Sequence, residues 1–291
     1  MHDHSHDASG RIGWAFFLNV SFTIIEFIGG WLTNSTAIMA DAVHDLGDSL
    51  SIGLSWLLSR LSGRKADGVF TYGYHRFSLL GALINGVVLI AGSLWILSEA
   101  VPRLANPTMP HAVGMFWLAI LGVVVNGYAA YKLSHGKTLN ERVLNLHLLE
   151  DVLGWVAVLI VAIVLLFVDW PIIDPLLSIA FTLFILINVV RNIVTTVSLL
   201  MQATPDKALH DQVVSEMLSM EPVSGVHHLH LWSLDGEHHV LTAHLELSRS
   251  VDAREYLELK TEVEKRLSEH DFVHSTIEFE FPEELCRDGS T

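Results

Sequence analysis

The sequence predicts an α-helical membrane protein of six transmembrane helices followed by a small polar α/β domain, and three observations carry that prediction. With 51% hydrophobic residues and a mean hydropathy of +0.44, the chain is too apolar for an ordinary soluble domain of its size. Its apolar residues gather in six stretches near 20 residues long, the length a bilayer requires. Its acidic residues gather at the other end: residues 205–291 hold 19 Asp and Glu against 7 Lys and Arg, a balance of −12 within a chain total of −15. An acidic domain of this kind disfavours nucleic acid and favours cations.

In chain order, the opening MHDHSHDASG reads as a His/Asp-rich tail over residues 1–12. It is acidic rather than basic, and the apolar run after it is long enough to stay in the membrane, so no cleavable signal peptide is expected. The predicted spans are 13–32, 36–60, 79–101, 113–133, 144–168 and 172–195. Six crossings put both termini on one side. Arg11, Arg60, Arg64, Lys65, Arg76, Lys132, Lys137, Arg142 and Arg191 then fall on the terminal side or its edge, and Arg103 alone falls opposite. The positive-inside rule makes the terminal side cytoplasmic. The expected organisation is therefore a transmembrane domain over 13–203, a cytoplasmic domain over 204–285 and a tail over 286–291, in a cell (inner) membrane.

The cytoplasmic part reads α-β-β-α-β. A helix is expected near 206–219, strands near 225–234 and 238–247 around a turn at Asp235-Gly236, an amphipathic helix near 252–270, and a last strand near 272–281. Alternation is plain in HHLHLWSL and VLTAHLEL. A sheet with helices on one face, close to a ferredoxin-like αββαβ unit, satisfies this order, and a domain of roughly 80 residues is small enough to want a partner, so a homodimer is expected.

The chemistry lies in the spans. His44 and Asp48 in the second, and His147 and Asp151 in the fifth, share one spacing. Residues four apart on a helix project to the same side. Each helix thus offers one nitrogen and one oxygen, and two facing helices offer a set of two His and two Asp, which suits tetrahedral zinc better than octahedral magnesium or calcium. A charge in hydrocarbon costs roughly 2.5–3.5 kcal/mol on insertion scales, so four ionisable groups at two such places need compensation, which a bound divalent cation supplies. Asp41, Asp45 and Glu150 adjoin the pairs as neighbours outside the core set, and Asn19 and Glu26 share a face of the first span. Cys286 is the single cysteine, which excludes an intramolecular disulfide and leaves histidine and carboxylate to do the metal work.

ADAVHDLGDSLS, YGYHRFSLLGALIN, LHLLEDVLGW, GVHHLHLWSL and AHLEL, set on six spans and an αββαβ domain, resemble the cation diffusion facilitator family in its zinc-transporting, bacterial-type branch. The resemblance implies a dimeric exporter that exchanges cytosolic zinc for external protons by alternating access. Zinc is then substrate and regulatory ligand, and no organic cofactor is expected. Histidine as the first ligand of the second span favours zinc over manganese or iron, with cadmium and cobalt open. The resemblance also implies a cytoplasmic metal set of His230, His244, His274 and Glu280, with sensing or pure dimerisation as its role.

The chain departs from relatives that bind an ion between the second and third spans. Asp67 is present, but Phe70 and Tyr74 stand at the matching histidine positions, so no such loop site is expected, with His75 the one reservation. No enzyme is expected either, because an intramembrane zinc protease would carry a helix-borne HExxH and the sequence has none. A metal-gated channel or membrane metal sensor without proton coupling is the competing reading. Tight, titratable ligands deep in the bilayer suit a carrier better than a pore.

Overall fold

In the computed structural model the backbone is described for residues 4–133 and 139–286, and side chains for these except 4–15, 18, 55, 56, 59, 60, 132, 133 and 139–147. Six helices come first: α1 (His4–Thr33), α2 (Thr36–Ser62), α3 (Phe77–Ala105), α4 (Ala112–Leu133), α5 (Leu139–Phe167) and α6 (Ile173–Leu200). Among the described residues, four stretches are long and apolar enough to cross a membrane: Phe77–Ala105, Ala112–Tyr131, Leu148–Phe167 and Ile173–Leu200. α1 and α2 are helical over the first two predicted spans, but α2 interrupts its apolar sequence with Asp41, His44, Asp45 and Asp48.

The chain divides into two compact units, Met1–Trp56 with Ile84–Asn192, and Leu57–Leu83 with Ile193–Thr291. In the first, Phe22, Ile38, Met115, Trp155, Val158 and Leu165 form a buried core. Helix association in a membrane rests on close packing rather than on exclusion of water, and small residues permit it. Gly122 of α4 is such a residue: a Cβ there would lie 2.1 Å from Trp155 Cδ2 of α5. The indole, 1% exposed, meets the Phe22 ring edge-on with centroids 5.8 Å apart.

The start of α2 is fixed from outside its own sequence. Asp174, fully buried at the start of α6, accepts hydrogen bonds from the Ser35 hydroxyl at 2.5 Å, the Thr36 backbone N–H at 2.8 Å and the Thr36 hydroxyl at 2.9 Å. The carboxylate does for α2 what an N-cap residue does, satisfying orphan donors at the positive end of the helix dipole. This also ties α2 in register to α6, and through that the position of His44 along its helix.

The second unit contains α7 (Lys207–Leu218), β1 (Val223–Ser233), β2 (His239–Leu247), α8 (Ala253–Leu267) and β3 (Phe272–Glu280). Asp206 and Asp252 N-cap the two helices through backbone N–H groups two or three residues on. The sheet runs β1-β2-β3, with β1 antiparallel and β3 parallel to β2. The parallel pair needs a crossover, and α8 supplies it. Val213 and Met217 of α7 and Leu259, Val263 and Leu267 of α8 pack with Leu231, Leu241, Leu245 and Phe279. Both helices therefore cover one face, and by the period of two the intervening positions, His244 and Glu280 among them, point to the other. Glu216 of α7 lies 2.9 Å from the His270 imidazole that follows α8. Burial pushes its carboxyl up, but hydrogen bonds from His270 and Gln212 outweigh that and hold it below the usual carboxylate range.

Candidate metal centres

The apolar first unit holds the first centre. His44 Nε2 lies 3.7 Å from Asp48 Oδ2 on its own helix and 3.8 Å from Asp151 Oδ1 of α5. These separations exceed a hydrogen bond and match the edge of a coordination shell, since two ligands at about 2.0–2.2 Å in tetrahedral array stand about 3.5 Å apart. His44, Asp48 and Asp151 form one of three groups of metal-capable donors among the described residues. His147 occupies α5 one turn before Asp151, and its side chain lies outside the described residues.

Polar neighbours crowd this centre. Glu26 of α1 is fully buried, and Asp41 and Asp45 are 6% and 3% exposed. Asn19 Nδ2 donates to the Ser49 hydroxyl at 3.0 Å and the Asp45 carbonyl at 3.3 Å, so it joins α1 to α2. A side chain at Gly154 would stand 3.5 Å from Asp41 Oδ1, so Asp41 reaches α5 one turn past Asp151. Glu150 is exposed.

The second centre lies on the uncovered face of the sheet. His244 and Glu280 are brought together, with Nδ1 2.7 Å from Oε1, and two residues outside the expected set join them: His227 Nε2 stands 3.0 Å from Glu280 Oε2, and Cys286 Sγ lies 3.5 Å from His244 Nδ1. The four form a second donor group. Glu246 and Glu278 flank it, at 3.0 Å from His227 Nδ1 and 3.7 Å from His244 Nε2. Burial pushes the Glu280 carboxyl up, but hydrogen bonds from Cys286, His244 and His227 prevail and hold it below the usual range. A thiolate, two imidazoles and a carboxylate are a donor set for zinc and its softer relatives.

His230 and His274 stand apart from this cluster. His230 is exposed and opposes Thr242, while His274, also exposed, has its ring 5.7 Å from that of Tyr72 and Nε2 3.2 Å from the Thr276 hydroxyl. In β1 a bulge between His227 and His230, where His228 takes φ +45° and one extra residue is inserted, sets His227 against His244 and His230 against Thr242, while His274 lies six residues before Glu280 along β3, about 20 Å away. In the loop after α2, Asp67 is committed to its own turn: it accepts from the N–H groups of Val69 and Phe70, both at 2.8 Å, and from the Tyr74 hydroxyl at 2.6 Å.

Fold and sites together define an integral membrane protein with groups of metal-capable side chains among its helices and on an attached α/β domain. Residues 14–201 match the family described as the cation efflux transmembrane domain, and residues 205–281 match the cation efflux protein cytoplasmic domain. The chain belongs to the cation diffusion facilitator family. It is 32% identical to the cadmium, cobalt and zinc/H(+)-K(+) antiporter of Bacillus subtilis, over 96% of this chain and 91% of that protein. The zinc transporter ZitB of Pectobacterium atrosepticum is 32% identical over 96% and 89%, and the metal cation efflux system protein CzcD of Cupriavidus metallidurans 31% over 95% and 89%.

Proposed function

We propose that this chain is a zinc efflux transporter that exchanges cytosolic zinc for external protons by alternating access, with cadmium and cobalt as further substrates. The observation that carries the reading is the convergence of His44 and Asp48 on α2 with Asp151 on α5, the last of these within a stretch long and apolar enough to cross a membrane. With His147 one turn before Asp151, the set supplies two imidazoles and two carboxylates to a tetrahedral ion. The Bacillus subtilis relative is named a cadmium, cobalt and zinc/H(+)-K(+) antiporter and the Pectobacterium relative a zinc transporter, which supports the choice of cargo.

The same ligands account for the exchange. Histidine and aspartate bind metal only when deprotonated, so loading from the cytoplasm expels protons, and protonation from the opposite side expels the metal. The neighbouring carboxylates Glu26, Asp41 and Asp45 give protons further places to reside beside the cargo. In this reading α1 and α2 complete six spans, both termini lie in the cytoplasm of a cell (inner) membrane, and the α/β domain makes a homodimer. The His227, His244, Glu280 and Cys286 cluster is the cytoplasmic zinc sensor, whose occupancy biases the transporter.

The direction is tested in a zinc-sensitive bacterium by cellular zinc content. Cells expressing the chain should hold less zinc than controls under zinc load. Single His44→Ala, Asp48→Ala, His147→Ala and Asp151→Ala variants, present in the membrane at equal amount, should hold as much as controls. Full protection by any of the four variants would remove that residue from the transport set.

A further inference from the structure

We infer a third divalent-metal site, formed by His75 in the loop between α2 and α3 and by Asp235 and His238 in the β1–β2 turn, taking zinc or an ion of similar preference. All three belong to the second unit, and their donor atoms lie within 4.8 Å of one another. His75 Nδ1 is 3.3 Å from Asp235 Oδ2, and His238 Nδ1 is 2.7 Å from the same oxygen. The first separation is already that of two ligands sharing a tetrahedral ion. The second is a hydrogen bond that an ion replaces by spreading the pair by under about 1 Å. The two imidazoles are 4.5 Å apart between centroids.

Both supports are built before any ion arrives. Asp235 Oδ1 accepts the backbone N–H groups of Glu237 at 3.0 Å and His238 at 2.8 Å, which orients the carboxylate and leaves Oδ2 toward both rings. Such outer hydrogen bonding is what holds a metal-binding carboxylate in place. The turn closes through Gly236 at φ +102°, whose N–H donates to the Ser233 hydroxyl at 2.8 Å. On the other side, the turn at Asp67 and the Phe70 and Tyr74 rings, 4.6 Å apart, shape the loop, and Tyr72 packs edge-on against Trp232 at 6.3 Å. The three side chains are 29%, 14% and 41% exposed, and a cleft of about 490 Å³ lined by Arg64, Tyr72, His75 and His274 opens beside them, so an ion and a completing water can reach them.

Two of these ligands come from a turn and one from a loop 160 positions earlier in the chain. An ion there pins the connection that follows α2 to the sheet.

Binding is tested without reference to transport, so this inference and the proposed efflux can fail separately. The full-length purified protein carries Asp151→Ala, His227→Ala, Glu280→Gln and alanine at positions 2, 4 and 6 in place of histidine, which removes the other donor sets. Equilibrium dialysis against zinc should leave one ion per chain. Adding His75→Ala or His238→Ala should weaken that binding about 10- to 100-fold or more. Asp235→Asn, which keeps the turn's hydrogen bonds, should do the same with an unchanged circular dichroism spectrum and elution volume. Absence of the residual ion, or its retention in both histidine variants, would overturn the site.

Discussion

His227 and His230 are three positions apart in β1, and the bulge between them decides which meets Glu280. His227 opposes His244, and His230 slides one rung on to Thr242. In a protein whose membrane site is silenced by Asp151→Ala, His227→Ala should weaken zinc binding to the cytoplasmic cluster at least about 10- to 100-fold, and His230→Ala should leave it within about twofold. Isothermal titration with zinc checks both, and the reverse ranking would sink the assignment. His244 and Glu280 are implied by the family resemblance of AHLEL and the last strand, and alternation puts both on the sheet face turned away from the helices. His227 is not implied, because nothing in VHHLHLW announces a residue at positive φ, a conformation uncommon outside glycine. A single cysteine carries no metal signal in the sequence, and Cys286 reaches the cluster only because the chain turns after β3.

At the scale of elements, close approach and charge can be probed separately. Gly122→Ala drives a methyl into the Trp155 indole, a ring with no flexible end to yield. An overpacked contact of this kind costs about 1–3 kcal/mol, so the melting temperature in detergent should fall by several degrees, whereas Gly127→Ala, with open space at its Cβ, should melt as wild type. Glu216 tests the α7–α8 clasp. Its folded carboxyl sits below the ordinary range, so its contribution is present above the unfolded pKa of about 4.3 and is lost as pH falls through the folded value. Glu216→Gln should lower stability by about 1 kcal/mol at pH 7 and flatten the loss between pH 5 and 3, read from melts of both proteins. Equal slopes would remove Glu216 as a source of acid sensitivity. The elements themselves were well marked in sequence, since long apolar runs and period-two alternation are local signals. The capping of α2 by Asp174 was not, because it joins residues 138 positions apart.

For the whole molecule, the donor group at His44, Asp48 and Asp151 and the cluster on the sheet belong to separate compact units, and their placement in sequence differs in kind. The sequence singles out His44, Asp48, His147 and Asp151 because ionisable groups are costly in apolar helices, and the structure brings His44, Asp48 and Asp151 together, with the His147 side chain outside the described residues. The loop-to-turn site does not stand out in this way, since His75, Asp235 and His238 are ordinary surface residue types until folding brings them together. In the proposed exchange one set of ligands carries zinc one way and protons the other. The direct measurement is simultaneous zinc and pH recording in proteoliposomes that trap a zinc indicator and a pH dye. On external zinc addition, the account predicts zinc entry with a matched rise of internal pH, both abolished by Asp151→Ala. Zinc entry at constant internal pH, or an unchanged signal in the variant, would contradict it.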